Sequence, residues 1–206
     1  MEKTNRKIGI MGGTFDPIHI GHLVIAEAAW QEFALEKVLF IPTGDTPNKR
    51  MHHIDKYTRY HMTELAVADN PHFEISSIEL EREGPSYTVD TIRQLQAAAP
   101  SGTEFYFIAG TDAVADLPTW KYNRELLASC HFICASRPGD VERIRASVRY
   151  FGALGREKIH FLRTPELEIS STILRGLIRA DRSVRYLIPD AVAAYIRENQ
   201  LYKGAW

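Results

Sequence analysis

The sequence predicts an α/β fold, a doubly wound parallel sheet with a helical C-terminal portion. Three observations predict it. Short apolar runs alternate with stretches of helical periodicity across residues 1–165. The first apolar run ends in a double glycine that leads straight into a helix. Beyond residue 166 the alternation stops and two helical stretches follow. At 206 residues the chain suits one domain: a core over 1–165 and the helical portion over 166–206.

Taken in order, strands are expected at Lys7–Met11, Val38–Pro42, Phe73–Ser77, Phe105–Ala109, Phe132–Ala135 and Ile159–Leu162. Helices are expected at Ile20–Phe33, Lys56–Asp69, Val89–Ala98, Arg124–Ser129 and Val141–Phe151. Strand–helix–strand connections of this kind are right-handed. In the last third, Ser170–Ala180 and Pro189–Asn199 read as helices, and Pro189 suits a helix start. Thr43–Ile54 and Glu79–Ser86 are long polar loops. An open α/β sheet binds ligands at the carboxyl ends of its strands, where such loops lie.

The stretch Gly12-Gly13-Thr14-Phe15-Asp16-Pro17-Ile18-His19-Ile20-Gly21-His22 has the features of a phosphate site. Two glycines allow a tight turn and close approach of a ligand to the backbone. The helix beginning near Ile20 turns its unpaired N–H groups and positive dipole end to the same place. His19 and His22, at i and i+3, share one side of the first turn. A second constellation is Ser170-Ser171-Thr172-Ile173-Leu174-Arg175. Ser170 or Ser171 can cap a helix. The same hydroxyls and N–H groups can hold phosphate oxygens, with Arg175 adding a bidentate cation.

Composition narrows the field. A net charge of −1 without long runs of one sign gives no footprint for nucleic acid. No apolar stretch approaches the ~20 residues of a bilayer span, and the polar first residues are not a secretory signal. If Cys130 and Cys134 lie on one strand, they stand about 13 Å apart, too far for a disulfide. A reducing cytoplasm is expected. The oligomeric state, a homo-oligomer included, is left open by the sequence.

The His-x-Gly-His turn with Ser-x-Thr-x-x-Arg far downstream resembles the nucleotidyltransferase superfamily related to class I aminoacyl-tRNA synthetases. Nearly the whole chain resembles one branch of it, the bacterial nicotinate mononucleotide adenylyltransferases. That resemblance rests on Gly12–His22, Glu81–Thr88, Ile108–Asp112, Leu117-Pro118-Thr119-Trp120, Arg137-Pro138-Gly139 and Ile169–Arg175. It implies a Rossmann-like fold and a reaction between ATP and nicotinate mononucleotide that yields the dinucleotide and pyrophosphate. Other enzymes of the superfamily, such as phosphopantetheine adenylyltransferase, and a non-catalytic nucleotide sensor are the alternatives.

The resemblance also implies roles. His19, His22 and Arg175 form the catalytic set, with His22 on the α-phosphate. Gly12, Gly13, Thr14, Phe15, Ser170, Ser171 and Arg137 complete the ATP site, and Mg2+ arrives with the phosphates. Lys49, Thr88, Gly110, Asp112, Trp120 and Tyr122 are the substrate side. Thr88 offers backbone N–H groups to the nicotinate carboxylate, and Trp120 offers a face to the pyridine ring unless it is a packing residue. Asp112 accepts from ribose hydroxyls or caps the short helix after Gly110. Arg137 stacks on adenine or shapes its turn. At Lys49 the family's Pro-Pro-His-Lys loop reads Thr46-Pro47-Asn48-Lys49, so the lysine is kept and the histidine replaced.

Overall fold

A computed structural model describes residues 6–44, 54–136, 141–165 and 167–203. Six strands form one parallel sheet in the order β3-β2-β1-β4-β5-β6. They are β1 (Lys7–Gly13), β2 (Lys37–Pro42), β3 (Phe73–Ile75), β4 (Glu104–Gly110), β5 (His131–Ser136) and β6 (Ile159–Arg163). Strand order reverses between β1 and β4, so the topological switch point, where this architecture binds ligands, falls at their carboxyl ends. The register there pairs Met11 with Ile108.

Nine helices are present among the described residues: α1 (Ile20–Glu32), α2 (Lys56–Val67), α3 (Thr88–Ala98), α4 (Thr111–Asp116), α5 (Asn123–Ser129), α6 (Val141–Phe151), α7 (Ala153–Lys158), α8 (Ser171–Arg179) and α9 (Asp190–Glu198). Every expected element forms. β3 stops two residues early, although the N–H of Ser76 still reaches Phe40 O. The short α4 follows Gly110 as expected, whereas the 3-10 turn Leu117–Thr119 and α7 were not expected. Elements this short carry too few turns for a period to show. The expected periodic face of α1 is also absent. Most of the helix is half-buried, and its fully buried positions are the small residues Gly21, Ala26 and Ala29.

The chain divides into two compact units. One comprises Met1–Gly12, Ile25–Leu39 and Tyr87–Glu166, the other Gly13–Val24, Phe40–Ser86 and Leu167–Trp206. The first is built on Ile10, Ile92, Leu117, Leu126, Phe132, Ile133 and Ile144, all fully buried. Both cysteines are reduced and buried within it. Near the amino ends of β4, β5 and β6, its rings of Tyr106, His131 and His160 form a stack, with centroids 4.6 and 5.1 Å apart. Lys158 Nζ lies 3.1 Å from His131 Nε2, and His131 Nδ1 lies 2.8 Å from His160 Nε2. A lysine ammonium can only donate, so His131 carries its proton on Nδ1 and passes that hydrogen bond to His160.

The second unit is built on Ile18, Phe40, Met62, Leu174, Val192 and, unusually, Arg59. Two of its helices end in Schellman turns. After α8, Arg182 N–H reaches Leu177 O with Asp181 left-handed (φ 52°). After α9, Leu201 N–H reaches Ile196 O with Gln200 left-handed (φ 54°). In the first unit, α1 closes the same way: Leu35 N–H reaches Trp30 O with Ala34 at φ 49°. No helix of the described residues is long and apolar enough to cross a membrane.

Candidate active site

Gly12 and Gly13 do not form the expected tight turn: they are the last two residues of β1, and the left-handed position falls on Phe15 (φ 50°) in the Thr14–His19 connection to α1. His19 is the residue before the helix and His22 is its third residue. His22 Nδ1 accepts the backbone N–H of His19 at 3.2 Å, and the backbone N–H of His22 donates to His19 O at 2.9 Å. The first bond is the return half of a capping box, with histidine in place of glutamate or glutamine, while the forward half is made by the main-chain oxygen of His19 rather than its side chain. It explains the i, i+3 spacing, and it also sets a tautomer. With Nδ1 accepting, a neutral His22 carries its hydrogen on Nε2.

The two imidazoles stack with centroids 3.7 Å apart and planes 26° apart. Gly21 makes room for the stack, since a Cβ there would stand 3.0 Å from His19 Nδ1. Phe15, left-handed at φ 50° and buried, sets its ring edge-on to His22 at 5.1 Å. A Cβ at Gly13 would meet that same ring at 2.9 Å. Burial pushes the His19 imidazole down to about 4. His22 is held well below the usual histidine range by burial and then by the neighbouring His19. Both rings are neutral near pH 7. His19 Nδ1 is buried with no hydrogen-bond partner, as are Thr43 Oγ1 and Ser86 Oγ in the same unit. Buried polar atoms left without partners are uncommon outside sites that receive a ligand.

The second constellation meets the first within this unit. Ser170 caps α8 by accepting Ile173 N–H at 3.2 Å. Ser171 Oγ donates to Pro17 O at 2.9 Å. Arg175 Nη1 donates to Asp16 O at 2.7 Å, and Nη2 reaches Thr172 Oγ1. Arg175 therefore faces the turn that carries the histidines, as expected. The hydroxyl of Ser171 is spent on the turn itself, which leaves its main-chain N–H as its donor.

Three residues of this constellation were not singled out from sequence. Arg59, fully buried on α2, forks its guanidinium onto Thr14 O (2.6 Å) and Thr43 O (2.7 Å). The backbone N–H of Thr43 also donates to Gly13 O at 2.9 Å. Asp16, buried in the turn, accepts the hydroxyl of buried Tyr202 at 2.7 Å. Arg59 had a readable signal: it shares the i, i+3, i+4, i+7 face of α2 with Met62, Thr63 and Ala66, all buried. Asp16 and Tyr202 had none.

The other expected residues lie in the first unit. Gly12 abuts Phe107, whose ring a Cβ would approach to 3.2 Å. Thr88 opens α3, and the preceding Tyr87 makes no side-chain cap. Gly110 ends β4 and precedes α4, so Asp112 is not the cap of that helix; it pairs with Arg143 at 2.7 Å. Half-buried Trp120 meets Phe107 and Phe132 edge to face at 6.2 and 6.3 Å, so packing is part of its role. Tyr122, left-handed at φ 55° and exposed, lies under the cations of Arg93 and Lys121. Lys121 Nζ also sits 4.2 Å over the Tyr87 ring. Lys49 and Arg137 fall outside the described residues. Among the described residues, no cluster of three or more His, Cys, Asp or Glu side chains is placed to hold a metal ion.

Comparison with known proteins gives this arrangement a family. The family model described as cytidylyltransferase-like matches residues 10–177. A Moorella thermoacetica protein named probable nicotinate-nucleotide adenylyltransferase is 48% identical over 199 residues, covering 96% of this chain and 92% of its own. A Thermoanaerobacter protein of the same name is 46% identical over 199 residues, covering 96% of this chain and 94% of its own. Among solved structures, Plasmodium falciparum nicotinic acid mononucleotide adenylyltransferase complexed with NaAD superposes with a TM-score of 0.78. It covers 96% of this chain and 97% of that one at 20% identity, a likeness of fold. On a match of this identity and extent, the chain belongs to the nicotinate-nucleotide adenylyltransferase family of cytidylyltransferase-like enzymes.

Proposed function

We propose that this chain, acting as one nucleotidyltransferase domain, transfers AMP from ATP to nicotinate mononucleotide, in the cytoplasm and in the service of NAD synthesis. A phosphate oxygen of the mononucleotide attacks the α-phosphorus of ATP. The bond from that phosphorus to the β-phosphate oxygen breaks, and pyrophosphate leaves with the electron pair. The reading is supported most directly by the stacked His19–His22 pair at the start of α1, on the turn that also receives Arg175.

Such a transfer needs placement of two anions and neutralisation of developing charge rather than a covalent intermediate. His22 enters neutral and donates from Nε2 to an α-phosphate oxygen, and the approaching anion raises its proton affinity. His19 and the main chain of Gly12, Gly13, Thr14 and Phe15 surround the same phosphates. Ser170, Ser171 and Arg175 take the β- and γ-phosphates, since Arg175 keeps donors beyond those given to Asp16 and Thr172. Arg137 serves the adenine side and Lys49 the acceptor phosphate.

On the acceptor side, Trp120 and Tyr122 flank the pyridine ring, Gly110 and Asp112 hold the ribose, and Thr88 N–H receives the carboxylate at the start of α3. Mg2+ suits this donor set as an ion carried by phosphate oxygens and water, because the turn offers amides, imidazoles and a guanidinium while Asp16 accepts from Tyr202. When bound, it supplies neutralisation of the leaving pyrophosphate.

The test is pyrophosphate release with ATP, Mg2+ and a panel of acceptors. Nicotinate mononucleotide should give the highest kcat/KM, above nicotinamide mononucleotide and phosphopantetheine. Absence of pyrophosphate with nicotinate mononucleotide overturns the reading, and equal values for the two mononucleotides overturn the assignment of Thr88.

A further inference from the structure

Asp16 is the point at which three parts of the second unit converge. Its main-chain oxygen takes Arg175 Nη1, and its carboxylate takes the Tyr202 hydroxyl, both at 2.7 Å. Its neighbour Phe15 carries the ring that abuts His22. Any shift of Asp16 therefore bears on both Arg175 and the Phe15 ring that abuts His22.

Tyr202 arrives there by an unusual backbone path. After α9 the chain reverses through Gln200, and Tyr202 itself is left-handed at φ 65°. A bulky aromatic residue seldom adopts this conformation, and it persists only where the surroundings over-determine it. Phe15, on the other side of the contact, is left-handed too. The Tyr202 ring is 1% exposed. Burial, and then the charge of Asp16, push its hydroxyl well above the usual tyrosine range, so it remains a donor at every working pH.

We infer that Tyr202 is a positioning residue for adenylyl transfer, acting through Asp16 to fix the turn that receives the triphosphate. This rests on the reaction proposed above. Misplacement of a reacting group by about 1 Å costs on the order of a hundredfold in rate, so one buried hydrogen bond on this turn has kinetic weight.

The variant Tyr202→Phe keeps the ring and removes only the donor. It should lower kcat at least tenfold while KM for nicotinate mononucleotide stays within twofold. Ile196→Val, in the buried face of α9, is the control for lost stability. Chosen to match or exceed the fall in Tm of Tyr202→Phe, it should keep wild-type kcat. Wild-type kcat in Tyr202→Phe, or an equal loss of kcat in Ile196→Val, overturns the inference alone. Wild-type protein that releases no pyrophosphate removes the reaction, and this inference with it.

Discussion

His22 caps the helix it stands on by accepting the backbone N–H of His19. One imidazole thus has a structural bond on Nδ1 and a donor on Nε2, and the two roles can be separated. His22→Gln supplies the ordinary residue of a capping box, so its Tm should stay within a few degrees of wild type. Its turnover should still fall at least a hundredfold, because a neutral amide does not take up charge as the phosphate approaches. His22→Ala should lose turnover equally and about 1 kcal/mol of stability as well. Near-normal turnover in His22→Gln, measured by pyrophosphate release, removes the imidazole from the mechanism.

Stability should depend on pH through the buried histidines. His19 and His131 are both pushed down to about 4, chiefly by burial. His22 and His160 are lowered as well, again chiefly by burial. Below about 6.5 the unfolded chain takes up protons that the folded chain refuses. Stability should therefore be flat between about pH 7 and 8 and fall from 6.5 toward 4, by at most about 1.4 kcal/mol per pH unit for buried His19 and by less for the partly exposed His131 and His160. Urea unfolding at a series of pH values measures this, and His131→Asn should make the slope shallower. A stability that rises as pH falls through this window contradicts the account.

Arg59 joins the ends of two strand–loop connections with one guanidinium. Arg59→Lys keeps the charge but loses the planar fork, so one of its two bonds to Thr14 O and Thr43 O is lost. A hydrogen bond from a charged donor to a part-buried carbonyl is worth up to about 1.5–3 kcal/mol, which thermal unfolding should register. KM for ATP should rise with it, since Thr14 belongs to the phosphate turn. An unchanged Tm shows that water or a rearranged side chain replaces the lost donor.

Trp120 can be tested on the acceptor alone. Trp120→Ala should raise KM for nicotinate mononucleotide at least tenfold and leave KM for ATP within about threefold, given stacking worth roughly 1–3 kcal/mol. Equal changes in both constants would reduce Trp120 to its packing on Phe107 and Phe132.

Ala34 adopts a left-handed conformation at the end of α1, where glycine is the usual residue. Ala34→Gly should stabilise the protein by up to about 1 kcal/mol, or about 2–4 °C in Tm. A lower Tm would mean that the lost methyl packing outweighs the relieved backbone.

What the sequence revealed and concealed divides along one physical line. His19, His22, Ser170 and Arg175 could be read because their spacing expresses the geometry of one helical turn. The strands and long helices were readable for the same reason, through their own periods. Asp16 and Tyr202 meet through a contact that no local pattern encodes, across a sequence separation of 186, and the periodic face of α2 marks Arg59 as buried without naming the carbonyls it reaches. Asp112 shows a third case. Its position suited a cap, but Gly110 took that place and left its carboxylate to Arg143.

The partners of the Thr14–Pro17 turn stand 45, 154, 159 and 186 residues further along the chain. Contacts so remote are the slowest to form when a protein folds. Nucleotide capture is therefore a late event in the maturation of this polypeptide: during refolding, secondary-structure signals should recover first and catalytic competence last.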